Sequence, residues 1–192
     1  MTEEASLGIS QASIVEDDEK LRERVDFIHH SESVGTSALV ERYIEGRELY
    51  VGVLGNTRLQ VLPIWELVLD SMPEDAKKIA TARVKWSDKY QKKYRIRSQE
   101  AEKLSPELQQ KIKRIAKRVY RHLALSGYAR IDFRLDENDQ NKVYVLEANP
   151  NCQLAHNEDL AESAGRASLS YSNLIQRILS FGLQFHADRI RI

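Results

Sequence analysis

Two short segments hold the residue types best suited to chemistry: Tyr-Ala-Arg-Ile-Asp-Phe at 128–133 and Val-Leu-Glu-Ala-Asn-Pro at 145–150. Each reads as a strand, in which alternate side chains share a face. Arg130 and Asp132 then lie together on one strand, and Val145, Glu147 and Asn149 on the other. The polar stretch Asp136 to Asn141 between them reads as a hairpin turn. With that turn centred near Asn138, Arg130 falls opposite Glu147 and Asp132 opposite Val145. Asp132 and Glu147 become diagonal neighbours, with Asn149 beyond them. Carboxylates brought this close repel each other unless something positive lies between them. An oxygen-only set of Asp, Glu and Asn suits a hard cation such as magnesium, which takes a few protein ligands together with phosphate oxygens. The competing reading is a solvent-facing hairpin with an Arg130–Glu147 salt bridge. The apolar setting of the acids and the abrupt strand end at Asn149-Pro150-Asn151 weigh toward the metal.

Several elements must position this pair. Residues Glu16 to Ile28 read as a short helix, capped by Asp17 or Asp18, with Leu21, Val25 and Ile28 as its apolar stripe. Strand patterns follow at Ala38 to Ile44, at Glu48 to Leu54 after the Glu45-Gly46-Arg47 turn, and at Arg58 to Ile64 after Gly55-Asn56. From Pro73 to Arg97 the chain is basic and poorly periodic, which predicts a long mobile loop with at most a short strand. Ser105-Pro106-Glu107 is a helix start: a cap, a first-turn proline and an acid favoured by the helix dipole. Leu108, Ile112, Ile115, Val119 and Leu123 continue that helix, with Gly127 as the expected stop. Two further helices are predicted, over Glu158 to Ala164 with Gly165 ending it, and over Tyr171 to Phe181. Helices mixed with antiparallel hairpins indicate an α+β class.

Composition narrows the function classes. Lysine plus arginine number 29 and aspartate plus glutamate 29, so no global field favours nucleic acid or an acidic membrane. No apolar run approaches the ~18 residues of a membrane helix. Met1 to Ser10 has neither the basic start nor the apolar stretch of a signal peptide. The lone Cys152 supports neither a disulfide framework nor a zinc cluster, which makes a reduced, cytoplasmic setting the default expectation.

Taken in order, five segments resemble D-alanine–D-alanine ligases of the ATP-grasp superfamily. Arg130-Ile131-Asp132 with Leu146-Glu147-Ala148-Asn149 resembles the family's magnesium and phosphate motif. Ala5-Ser6-Leu7-Gly8-Ile9-Ser10 is similar to the loop that closes over the ATP phosphates. Val40 to Glu48 is similar to the hinge strand that holds adenine and ribose, and Val84-Lys85-Trp86-Ser87 to the lysine-bearing mobile loop. Leu169 to Ile178 resembles the closing helix. The resemblance implies an ATP-grasp fold, two α+β lobes enclosing ATP, with residues 1–64 as the remnant of the central lobe and 65–192 as the C-terminal lobe.

It also implies roles. Asp132, Glu147 and Asn149 hold magnesium as two ions that bridge the ATP phosphates, with manganese an allowed substitute. Arg130 and Lys85 are the catalytic pair: Arg130 stabilises the transferring phosphoryl group and Lys85 contacts phosphate. Glu41 accepts from the adenine amino group, the Ile44 backbone pairs with the ring, Glu48 binds the ribose and Leu146 packs on the base. Ser6 and the amides up to Gly8 cradle the terminal phosphate. The implied reaction is attack of a carboxylate on the ATP γ-phosphate, then of an amine on the resulting acylphosphate, to form an amide or peptide bond. Read without the resemblance, Glu41 and Glu48 are equally surface partners for nearby arginines, Lys85 part of a solvated basic face, Leu146 a core residue, and Ser6 and Gly8 a mobile terminus.

The sequence departs from the family in two places. Met1 falls only a few residues before Ala5, so the family's upstream substrate domain and its lysine-bearing strand are not in this sequence. The expectation is part of a longer enzyme, inactive by itself, with a homodimer allowed. After the metal asparagine the family has a glycine-containing loop that binds the acceptor, where this sequence reads Pro150-Asn151-Cys152-Gln153-Leu154-Ala155-His156. The carboxylate and amine substrates are therefore open. Cys152 reads as a small packing residue ahead of a nucleophile, and His156 as a structural loop residue. A non-catalytic nucleotide-binding module of the same fold is the alternative function.

Overall fold

The computed structural model describes residues 9–30, 37–73 and 75–184. They fall into two compact units, each built from two separate chain segments. One comprises the described parts of Met1–Glu45 and Leu69–Arg97, the other Gly46–Val68 and the described parts of Ser98–Ile192.

In the first unit, α1 (Asp18–His30) matches its expected helix. Asp17 is the cap: its side chain accepts from the Lys20 amide at 2.8 Å. Leu21, Val25 and Ile28 form a half-buried stripe. Two expectations are corrected here. Residues 38–44 form no strand, because a strand needs a ladder and the five-stranded sheet does not include them. Leu39 and Val40 are accordingly exposed, at 82% and 60%. The basic stretch after Pro73 is not a featureless loop but carries α2 (Ala82–Trp86) and α3 (Asp88–Lys93). Each is capped, by the Thr81 and Ser87 side chains accepting from the Val84 and Tyr90 amides. Helices of five and six residues are shorter than the window in which a helical period shows, so only their caps were legible.

The second unit holds an antiparallel sheet in the order β3-β2-β1-β4-β5, with β1 at Arg47–Leu54, β2 at Gln60–Val68, β3 at Arg97–Glu100, β4 at Tyr128–Asp136 and β5 at Lys142–Asn149. Gly55 turns β1 into β2 at φ +124°, where an added Cβ would lie 2.2 Å from the Arg58 carbonyl oxygen. One sheet face packs on α4 (Pro106–His122), uniting Leu49, Val51, Val53, Ala129, Ile131, Phe133 and Leu135 with Ile112, Ala116 and Tyr120. As predicted, Ser105 caps α4 by accepting from the Leu108 amide. The residue that leaves the helix is not Gly127, however, but Ala124 at φ +50°. Gly127 is instead pinned to the β1–β2 turn, its N–H donating to Asn56 Oδ1 and its carbonyl accepting from Gly55.

On the other face sit α5 (Asp159–Arg166) and α6 (Tyr171–Leu183), packed with Leu54, Leu62 and Cys152. Gly165 lies inside α5 rather than ending it, and Ser168 at φ +60° makes the turn. Close approach of α5 requires Gly52, where a Cβ would stand 2.6 Å from Leu160 Cδ1 and 2.8 Å from Leu62 Cδ1. Among the described residues no helix is long and apolar enough to cross a membrane.

The β4–β5 register differs from the expected one. Phe133 pairs with Val145, but Asp132 pairs with Glu147 and Arg130 with Asn149, so Leu146 is an extra residue, a β-bulge. Its cause is the core. Val143 and Ala148 both pack against the α4 side although an odd number of positions separates them, and in an unbroken strand they would point to opposite faces.

Candidate functional site

Alternation along β1, β4 and β5 builds one polar row on the face opposite α4. Tyr50 pairs with Asp132, Glu48 with Arg134 and Gly52 with Arg130 across β1 and β4. The bulge brings Glu147 directly opposite Asp132 rather than diagonal to it. The structure thus gathers Arg130, Asp132, Glu147 and Asn149, more tightly than an unbroken hairpin would.

Asp132 is 3% exposed and fully engaged. Arg130 donates from Nε to Oδ1 at 2.8 Å and from Nη2 to Oδ2 at 2.9 Å. Asn149 Nδ2 donates to Asp132 Oδ2 and to Glu147 Oε1, both at 3.1 Å, tying the two carboxylates together. Burial pushes the Asp132 carboxyl up to about 7; Arg130 pulls it down and Glu147 pushes it further up. Burial acts to lower the Arg130 pKa, but the Asp132 carboxylate more than offsets this and holds the guanidinium above its ordinary value. The Arg130 guanidinium lies 4.5 Å from the centre of the Tyr50 ring, a cation–π contact, and its Nη1 is 3.6 Å from Asp159 Oδ2 on α5. The Ser98 hydroxyl on β3 donates to the other Asp159 oxygen.

Beside this group Glu48 is buried. One oxygen accepts from the Tyr50 hydroxyl at 2.7 Å and the other faces Arg134 Nη2 at 3.3 Å. Burial, then the neighbouring Glu48 carboxylate, keeps the Tyr50 phenol protonated.

A hard divalent cation fits the donor set. Among the described residues no three His, Cys, Asp or Glu side chains form a group that could hold a metal ion, and this group offers two opposed carboxylates with an asparagine amide. Asp132, Glu147 and Asn149 are the residues that would hold it.

The remaining candidates fall elsewhere. Glu41 is exposed and Ile44 half-buried, both outside any helix or strand of the first unit, and Lys85 is half-buried on α2. Leu146 is not core: as the bulge residue it is 47% exposed. Ser6 and Gly8 lie outside the described residues. Cys152 is 8% exposed, and burial raises its thiol to about 11, which suits packing and not nucleophilic attack. His156 is exposed and stands against the Tyr171 ring, centroids 4.9 Å apart. Sequence reasoning missed Tyr50, Arg134 and Asp159. The alternation Glu48, Tyr50, Gly52 and Arg130, Asp132, Arg134 carried a signal for the first two, whereas nothing local marks Asp159.

The sequence matches the family described as D-ala D-ala ligase C-terminus over residues 2–180. It is 32% identical over 149 residues to the D-alanine--D-alanine ligase of Carboxydothermus hydrogenoformans, covering 76% of this chain and 43% of that protein. It is 30% identical over 184 residues to the corresponding ligase of Desulfotalea psychrophila, covering 94% and 51%. The chain therefore spans about half the length of the curated relatives it matches. Among solved structures, the D-alanine--D-alanine ligase of Bacillus anthracis complexed with ATP superposes with a TM-score of 0.67 at 20% identity, over 88% of this chain and 48% of that one, a likeness of fold.

Proposed function

The chain belongs to the D-alanine–D-alanine ligase C-terminal family, and we propose that it is the ATP- and magnesium-binding part of a ligase that joins a carboxylate to an amine. The carrying observation is the directly opposed Asp132–Glu147 pair with Asn149 bridging it. On this reading Asp132, Glu147 and Asn149 would hold magnesium, as two ions, or manganese in its place. When bound, the cation neutralises charge on phosphate oxygens during transfer.

Arg130 then presents its guanidinium to the transferring phosphoryl group and to the negative charge that follows. Its orientation is set beforehand by the Tyr50 ring on which it lies. Lys85, Ser6 and the amides up to Gly8 contact phosphate, Glu41 and the Ile44 backbone read the adenine, and Leu146, exposed at its bulge, covers the base. Glu48 binds ribose hydroxyls. A carboxylate has about four lone-pair sites, so its bonds to Tyr50 and Arg134 leave room for one more donor.

The substrates are ATP and small amino-acid or other carboxylate compounds, with a substrate domain outside this sequence completing the enzyme in the cytoplasm. The fold resemblance to an ATP complex and the ligase relatives support this reading.

The test is thermal unfolding with a non-hydrolysable ATP analogue, in magnesium and in EDTA, for the wild-type chain and Glu147→Gln. A ligand that binds only the folded form at ~100 times its Kd stabilises by about 2.7 kcal/mol. A magnesium-dependent stabilisation of that order, lost in Glu147→Gln, is expected. Absence of any magnesium-dependent shift in the wild type sinks the proposal.

A further inference from the structure

In the arrangement the structure shows, Arg130 competes with a cation for Asp132. Both of its oxygens accept from Arg130, and one also accepts from Asn149. A divalent cation ~2.1 Å from either oxygen would stand against the guanidinium, two positive groups sharing one buried carboxylate. Full access of a cation to Asp132 is therefore favoured by Arg130 giving up its fork. The neighbourhood restricts where it can go. One face of it lies on the Tyr50 ring, and a second carboxylate, Asp159, stands 3.6 Å from Nη1 and is 18% exposed. That distance is about 0.8 Å longer than a full charge-assisted hydrogen bond. Asp159 is itself held in place, by its seat in the first turn of α5 and by the Ser98 hydroxyl from β3.

We propose that Asp159 is a positioning residue that receives Arg130 when a divalent cation takes Asp132, so that the guanidinium passes from one carboxylate to the other while staying on the Tyr50 ring. The proposal rests on the cation-site reading above and adds a residue to it. The handover does two things. It removes a competitor from the metal carboxylate, and it leaves the guanidinium charged, oriented and beside the cation, with edges free to meet phosphate oxygens. Without Asp159, a displaced Arg130 would lie partly buried with no anionic partner, so it would hold Asp132 more firmly and oppose the cation.

The experiment is a double-mutant cycle read by binding of Mn2+ alone, from the electron paramagnetic resonance signal of the free ion. The four proteins are wild type, Asp159→Asn, Arg130→Met and the double variant, each checked for folding by its thermal melt in EDTA. Methionine keeps an apolar stem and a sulfur contact over Tyr50. Asp159→Asn is expected to weaken Mn2+ binding roughly tenfold while Arg130 is present, a coupling in the ordinary range for charged neighbours in contact. In the Arg130→Met background the same change should have less than about a twofold effect, and Arg130→Met alone should bind Mn2+ more tightly than wild type. Equal weakening in both backgrounds would show Asp159 acting on the ion through its field alone and would overturn the handover. So would an unchanged affinity in Asp159→Asn. A folded wild type that binds no Mn2+ overturns the cation site itself, an outcome distinct from the other two.

Discussion

The two faces of the five-stranded sheet come from the same strands and behave as different materials. Toward α4, residues 129, 131, 133 and 135 of β4 are all fully buried and apolar. Toward the other side, residues 130, 132 and 134 of the same strand are Arg, Asp and Arg, of which Asp132 and Arg134 are buried and Arg130 half-buried. The first face is stabilised by removal of apolar surface from water, which needs no partner of particular geometry. The second keeps charge out of water only because every member has a counterpart: Asp132 has Arg130, Glu48 has Arg134 and Tyr50, and Arg130 has Asp159 as well. One face is there to hold the sheet, and the other is held by it in readiness for a ligand.

The contrast can be broken from either side. The largest effect is expected on the apolar face, where Phe133→Ala should cost about 4 kcal/mol in chemical denaturation, from lost transfer free energy and the cavity left behind. A cost near zero would mean the α4 face does not carry the fold. On the polar face, Arg134→Met strands the Glu48 carboxylate and should cost about 3 kcal/mol, while adding Glu48→Met should restore most of it, since apolar replacement of a whole buried pair is often neutral. If the double variant is as unstable as the single one, the pair contributes more than mutual compensation.

The smallest effect is a pH dependence. Burial raises the folded Asp132 pKa to about 7, above the ordinary carboxyl value of 3.8, so the folded state binds the extra proton. Its stabilising share is complete below the unfolded pKa and is lost as pH rises through the folded one. In EDTA, wild type should lose about 2 kcal/mol relative to Asp132→Asn between about pH 5 and about pH 7. Parallel pH curves for the two proteins would show that burial does not dominate at this carboxyl.

Much of the polar face was readable in advance. The period-two pattern of β4 and β5 located both strands and put Arg130 with Asp132, and Glu147 with Asn149. The register was not readable, because a bulge is decided by which residues the core requires inside. Val143 and Ala148 must both face α4, and no turn residue announces that. The same limit hid α2 and α3, too short to repeat, and α4's exit through Ala124, where Gly127 was the better local candidate but was taken up by the Asn56 turn.

The sequence by itself determined the residue types, their alternation, the capped α4 and the family. These are local properties, set by steric preference, side-chain period and motif order within a few residues of each position. Only the tertiary structure decided that Asp132 faces Glu147 head-on, that Glu48 is buried against Arg134, and that Asp159, 27 positions after Asp132 in the chain, stands next to Arg130. Those contacts join strands and helices whose meeting depends on packing the whole unit, so no local pattern records them.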